Sequence, residues 1–201
     1  MMLTEYHLDA LKEIVNTGIG RAAASLNSLL ESHIELDVPS IRLFAPEDMA
    51  KVRSDINANE LSCVKLSFHG FFAGSAILVF PPESAVKLVS SLTGATPGTA
   101  NLNAVMAGTL NEVGNIVINC VIGTIGNMLD KSFDFSLPNY LEGRLDELLM
   151  SHTPASHEAI LLILTRFKVA DSQLEGSIFL VFEVGSFGTL IDAIDGLYPR
   201  P

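Results

Sequence analysis

The sequence predicts an α+β fold, a pseudo-twofold duplication of a helix–three-strand–helix unit forming one roughly six-stranded mixed sheet covered by helices. Three observations lead there. Two blocks of the chain recur in the same order at nearly the same offset. Each half opens on a long run with apolar residues at helical spacing. Each half then continues into short apolar runs bounded by turn residues, which is the pattern of antiparallel hairpins. Helices and hairpins in that order read as an α+β layer structure.

The repeat is visible residue by residue. Leu11–Ile41 lies over Leu110–Tyr140 at an offset of 99, so that Leu11 meets Leu110, Glu13 meets Glu112, Asn16 meets Asn115 and Pro39 meets Pro138. Gly74–Ser84 lies over Gly176–Ser186 at an offset of 102. The expected organisation is a single domain, residues 1–201, made of two repeats (about 4–92 and 103–197). Residues 93–102, small and bearing Gly and Pro, read as the linker between them.

Each half begins with a helix, predicted over about 5–31 and 103–131. Thr4 is a suitable N-cap for the first, with Glu5 favourable in the opening turn. A strand follows, IELDVPSIRLF in one half and FDFSLPNYL in the other, then a short polar helical segment, PEDMAKVRSDI or GRLDELLM. Two apolar strands come next, LSCVKLSFHGFF with GSAILVFP and EAILLILTRFKV with GSIFLVFE. PESAVKLVSSL and SFGTLIDAIDGL close the halves as helices. An edge strand from each half is expected to pair across the pseudo-twofold, giving a sheet of ordinary size.

Composition narrows the functional classes. Of the 201 residues, 48% are apolar, ample for a buried interior. Twelve Lys and Arg stand against 23 Asp and Glu, a net charge of −11. That disfavours nucleic acid, whose affinity comes mainly from cations on phosphates, and an anionic membrane surface. It suits a protein partner with a basic rim. Two cysteines, Cys63 and Cys120, make neither a disulfide framework nor a zinc site and read as buried free thiols. The opening residues lack the basic and apolar regions of a signal peptide, and no run approaches the roughly 20 apolar residues of a membrane span. The expected location is the cytoplasm. The five histidines show no metal-ligand spacing and read as surface or turn residues; there is no P-loop and no G-x-S-x-G elbow.

On a helical wheel Leu8, Leu11, Val15, Gly18, Ile19, Ala22, Leu26 and Leu29 share one face, expected to pack on the sheet. Asp9, Glu13, Asn16, Gly20 and Asn27 lie opposite. In the second helix Leu110, Val113, Val117, Val121, Thr124 and Met128 face inward, with Gly108, Glu112, Asn115, Asn119 and Gly126 outward. Each helix thus presents a carboxylate and an amide three residues apart, hence neighbours on its surface, amid small residues. An ordinary solvated face favours Lys, Glu and Arg instead. Glycines at 18 and 20 cost helix stability, roughly 1 kcal/mol each against Ala, and close approach of another surface would offset that. A Glu-x-x-Asn pair alone fits any solvated helix. Its repetition at a constant distance from Pro39 and Pro138 is harder to obtain by chance, and each proline belongs at a strand edge or bulge.

The pattern Asp/Ser-x3-Glu-x2-Asn-x22-Pro, here Asp9, Glu13, Asn16, Pro39 and again Gly108, Glu112, Asn115, Pro138, resembles the signature of the CheC/CheX/FliY chemotaxis phosphatases. Two Glu/Asn pairs in one chain look most like the CheC branch, and Gly108 departs from the motif. The resemblance implies dephosphorylation of the aspartyl phosphate of the response regulator CheY, with Mg2+ held by CheY and no cofactor bound by this chain. It implies Glu13, Asn16, Glu112 and Asn115 as catalytic residues, the glutamates pairing with a CheY lysine and the asparagines orienting the attacking water. Asp9, Pro39, Pro138 and Gly20 would be supporting positions. Gly20, Ala23 and Ala24, with Gly123 and Gly126 on the second helix, would admit the partner's surface. Two alternatives go with the resemblance: an adaptor that binds the receptor deamidase CheD with little phosphatase activity, and a FliY-like flagellar switch component.

Overall fold

A computed structural model describes residues 4–30, 33–44, 60–96, 102–150, 157–169, 172–183 and 185–197. In chain order the elements are α1 (Glu5–Leu30), β1 (Ile34–Phe44), β2 (Leu61–Gly70), β3 (Gly74–Phe80), α2 (Pro82–Thr93) and α3 (Leu102–Leu129). They continue as β4 (Phe133–Phe135), β5 (Asn139–Gly143), α4 (Leu145–Met150), β6 (His157–Val169), β7 (Ser172–Glu183) and α5 (Ser186–Leu197). The expected polar helix at 46–56 lies outside the described residues, as does part of the expected linker.

The local signals behave as their chemistry predicts. Thr4 caps α1, its Oγ1 accepting the His7 N–H at 3.4 Å and its carbonyl the Leu8 N–H at 3.2 Å. α2 opens on Pro82 and stops at Gly94, which takes a left-handed conformation and donates its N–H to the Ser90 carbonyl. Strand β3 is buried along its whole length and β2 over most of its length, because the sheet is covered on both faces. Alternate residues separate the two interiors. Val64, Leu66, Phe68, Leu78, Phe80, Ile178 and Leu180 join the larger core with α1, α2, α3 and α5. Leu61, Cys63, Ile77, Val79, Phe179 and Val181 point the other way, where Leu145 and Leu148 of α4 pack on them.

The sheet runs β1-β6-β7-β3-β2-β4, with β5 also paired to β2. Among the described residues it has seven strands rather than six, because the proline-bearing strand of the second half is broken into β4 and β5. The expectation of a mixed sheet is corrected: each described pairing is antiparallel. Both hairpins are antiparallel by construction, and a twofold axis through the sheet makes the strands it relates antiparallel as well. The ladder on that axis is β3 with β7, where Ala76 faces Leu180 and Leu78 faces Ile178. Adding the repeat offset of 102 to Ala76 gives Ile178, so the duplication maps the first of these pairs onto the second.

The first strand of each half leaves its own unit. β1 pairs with β6 of the second half, whereas β4 and β5 pair with β2 of the first. The halves are therefore interlocked, and neither hairpin completes its sheet without a strand from the other repeat. The prolines mark the same irregularity twice. Between Asp37 and Ser40 the ladder to β6 advances three residues on β1 against two on its partner, from Arg166 to Leu164. Between Phe135 and Asn139 the ladder to β2 advances four against three, from Phe68 to Lys65. Pro39 and Pro138 sit inside these one-residue bulges, where a missing N–H costs no ladder bond.

α3 is long and apolar enough to cross a membrane by length and composition alone, contrary to the expectation that no run approaches that measure. Its Leu110, Val113, Val117, Val121 and Ile125 are buried in the larger core.

Lys65 is a buried cation on the second face of the sheet. It is 8% exposed, and its Nζ has no hydrogen-bond partner among the described residues. Burial pushes its pKa below the usual lysine value and pushes the neighbouring Cys63 thiol up to about 12. Lys65→Met should therefore stabilise the fold by roughly 1–3 kcal/mol at neutral pH, the scale of relieving an unpartnered buried group. Because the folded pKa is the lower one, protonation favours the unfolded chain. The wild type regains stability as pH climbs through the folded pKa, and the advantage of methionine shrinks in the alkaline range. Urea melts of both proteins at neutral and alkaline pH check the size and the trend.

Candidate functional site

The predicted site residues lie on α1 and α3. The two helices pack on each other through a small residue: a Cβ on Gly18 would lie 2.9 Å from the Val121 Cα and 3.2 Å from the Cys120 carbonyl oxygen. The apolar stripe of α1 thus meets α3 as well as the strands, where the wheel placed it on the sheet alone. α3 in turn rests directly on β2 at Gly114, where a Cβ would lie 2.6 Å from the Cβ and Cγ1 of Val64. Arg21 reaches across from α1, its Nη1 donating to Thr124 Oγ1 at 3.3 Å.

With those faces buried, the opposite faces turn out. Glu13 and Asn16 are exposed on α1, and Glu112 is exposed on α3. Asn115 is half-buried, and its Oδ1 accepts an N–H from Asn119 Nδ2 at 2.8 Å. Asp9 is exposed beside Lys12, Nζ to Oδ1 3.5 Å. Gly20 and Gly108 open onto free space, with nothing within 4 Å of a Cβ on either. The strip of small residues is real on α1, where Ala24 is exposed and Ala23 half-buried. On α3 it is shorter than expected. Gly123 is open, but Gly126 is buried under the Lys131 carbonyl and the Phe133 ring, so it admits a loop of this chain and no partner. The helices cross beyond the Glu/Asn pair in both cases, at Gly18 and Arg21 on one and Val121 and Thr124 on the other. The structure presents two pairs, each on its own helix.

Some residues escaped the sequence reading. Tyr6, 37% exposed, lines a shallow hollow with Asp9, Ala10 and Glu13. An aromatic one turn before Asp9 was the available signal. His7 is not a surface or turn histidine: it is 3% exposed, with Nε2 3.0 Å from Asp195 Oδ1 and Nδ1 3.1 Å from Thr4 Oγ1. It ties the start of α1 to α5, and only the tertiary fold supplies Asp195. His33 and His69 are exposed, beside Glu35 and Asp134. His152 and the side chain of His157 lie outside the described residues. Cys63 is buried as expected, while Cys120 is half-buried on α3, Sγ 3.9 Å from Ser25 Oγ. Among the described residues no three His, Cys, Asp or Glu side chains converge as metal ligands.

No family model matches the chain. The CheY-P phosphatase CheC of Bacillus subtilis is 21% identical over 201 residues, covering 96% of this chain and 95% of that protein. The crystal structure of Thermotoga maritima FliY superposes with a TM-score of 0.74 at 17% identity, over 98% of this chain and all of that one. The CheX–CheY–BeF3–Mg2+ complex from Borrelia burgdorferi superposes with a TM-score of 0.54 at 19% identity, over 85% of this chain and 98% of that one. The chain is similar to CheC proteins over nearly its whole length and shares its fold with FliY and CheX. The likeness runs nearly end to end, so both helices and both bulged strands fall inside it. Gly108 stands where the family motif has Asp or Ser, and the structure leaves that position exposed and unfilled.

Proposed function

We propose that this protein accelerates hydrolysis of the aspartyl phosphate on a CheY-type response regulator, acting in the cytoplasm through its two Glu/Asn pairs. The observation that carries this reading is the outward orientation of both pairs. Glu13 and Asn16 are exposed, and Glu112 with a half-buried Asn115 repeats them on a helix whose opposite face is core.

The chemistry asks little of this chain. Phosphoryl transfer is dominated by positioning and charge stabilisation, and the cation belongs to the partner. An asparagine amide has a donor and an acceptor, so Asn16 or Asn115 inserted beside the phosphoryl group holds the attacking water in line. Being neutral, it does not repel the phosphate. Glu13 or Glu112 pairs with a lysine on the partner and fixes the register. The net charge of −11 complements a basic rim. Gly20, open on its solvent side, leaves room for the docking surface one turn beyond Asn16.

The test is the decay of labelled phospho-CheY with wild type and with Asn16→Ala plus Asn115→Ala. The double variant should fold normally, since one side chain is exposed and the other only half-buried. It should lose the acceleration and leave the regulator's own rate. Equal acceleration by both proteins sinks the reading. Docking of CheD is a separate proposal, and a pull-down with CheD that survives the double substitution would assign it to another surface.

A further inference from the structure

The two pairs differ at one position that the repeat makes comparable. One turn beyond Asn16 stands Gly20, open to solvent; the same offset of 99 places Asn119 one turn beyond Asn115. Asn119 Nδ2 donates to Asn115 Oδ1 at 2.8 Å. The remaining oxygen of Asn119 is buried with no partner among the described residues. An orphaned buried acceptor costs about 1–3 kcal/mol, so this arrangement is not what packing alone would select.

We propose that Asn119 is a positioning residue for the second site, holding the Asn115 amide in one orientation before a partner docks. The inference rests on the phosphatase reading above. The terminal torsion of a free asparagine is broad and roughly twofold, so its oxygen and nitrogen exchange places readily. A donor fixed to the oxygen removes that freedom and turns the –NH2 group toward the opposite side. The Asn115 oxygen has two lone pairs, and one remains to receive a water proton. Asn16 has no such clasp, because Gly20 carries no side chain. The second site is thereby preorganised where the first is free, which offsets the missing acid at Gly108.

The experiment isolates the second site in an Asn16→Ala chain. Phospho-CheY decay is followed over a range of phosphatase concentrations, separating the maximal rate from the half-saturating concentration. Asn119→Ala and the isosteric Asn119→Asp, which cannot donate, should each lower the maximal rate roughly fivefold to tenfold, the worth of one directed hydrogen bond. Half-saturation should hardly move. Asn119→Ala should keep or raise the melting temperature, since it deletes an unpartnered buried oxygen. An unchanged rate in Asn119→Ala or Asn119→Asp overturns the proposal, as does a fall that follows lost thermal stability. So does an Asn16→Ala parent no faster than the Asn16→Ala/Asn115→Ala double variant, because a positioned Asn115 would then position nothing. The last outcome leaves the phosphatase reading standing on Asn16. That reading itself fails only if the double variant matches wild type.

Discussion

Gly18→Val should be among the most damaging single substitutions in the chain, and Gly20→Ala, two residues along the same helix, should stabilise it. A Cβ on residue 18 would stand 2.9 Å from the Val121 Cα, 3.2 Å from the Cys120 carbonyl oxygen and 3.4 Å from the Thr124 Cβ. Two of these neighbours are backbone atoms of α3 and cannot swing aside as a side-chain tip would. Relief requires the helices to separate, and α3 is held below by Gly114 against Val64. Overpacking of a tight interior costs roughly 1–3 kcal/mol and occasionally more, and valine adds two methyl groups to the offending carbon. A loss of about 3 kcal/mol or more is expected, which at roughly 2–4 °C per kcal/mol lowers the melting temperature by about 6–12 °C. Gly20 has nothing within 4 Å of an added Cβ, so alanine there brings only its better helix propensity, about 1 kcal/mol. Opposite signs in two thermal melts check the pair; equal destabilisation would mean that α1 and α3 do not meet at Gly18.

The contrast shows where the sequence could be read and where it stopped. Wheel position put Gly18 inward and Gly20 outward, and the structure agrees. What Gly18 touches was not legible, since periodicity names a buried face and says nothing of the element opposite it. The outward direction of Glu13, Asn16 and Glu112 followed from the same periodicity, because a stripe such as Leu11, Val15 and Ile19 leaves only one face for them. The bulges followed from proline chemistry, which forbids a central ladder position to Pro39 and Pro138. The exchange of first strands between halves did not follow. Local alternation is identical whether β1 pairs within its own repeat or with β6, and partner choice is settled by contacts more than 100 residues apart. Gly126 failed for a related reason. On the wheel it faces out, but the chain turns back after α3 and lays the Lys131 carbonyl over it. His7 was misread because its partner, Asp195, lies 188 residues away.

Gly114 carries the second large effect, and it links packing to the site. It lies between Glu112 and Asn115, in the turn that presents them, and it is a point of close contact between α3 and β2. A Cβ there would fall 2.6 Å from both the Cβ and Cγ1 of Val64 and 3.1 Å from its Cγ2. Val64 is fully buried in β2, between Leu78 on β3 and Tyr140 on β5, and its branched side chain has little rotational freedom. In the other repeat the matching position is Val15, so the glycine is a demand of α3 and not of the motif. Gly114→Val should destabilise by about 3 kcal/mol, while Gly114→Ala should cost less because alanine recovers about 1 kcal/mol of helix propensity. Either substitution lifts the turn that carries Asn115, so in an Asn16→Ala chain phospho-CheY decay should slow even at temperatures where the protein is fully folded. The decisive variant is Gly114→Ala with Val64→Ala. Shortening Val64 removes the atoms in the way, so the double variant should be more stable than the sum of the two single losses, and second-site turnover should recover with it. Additive losses would show that Gly114 and Val64 do not meet. Recovered stability without recovered turnover would show that seating α3 on β2 is not what positions Asn115.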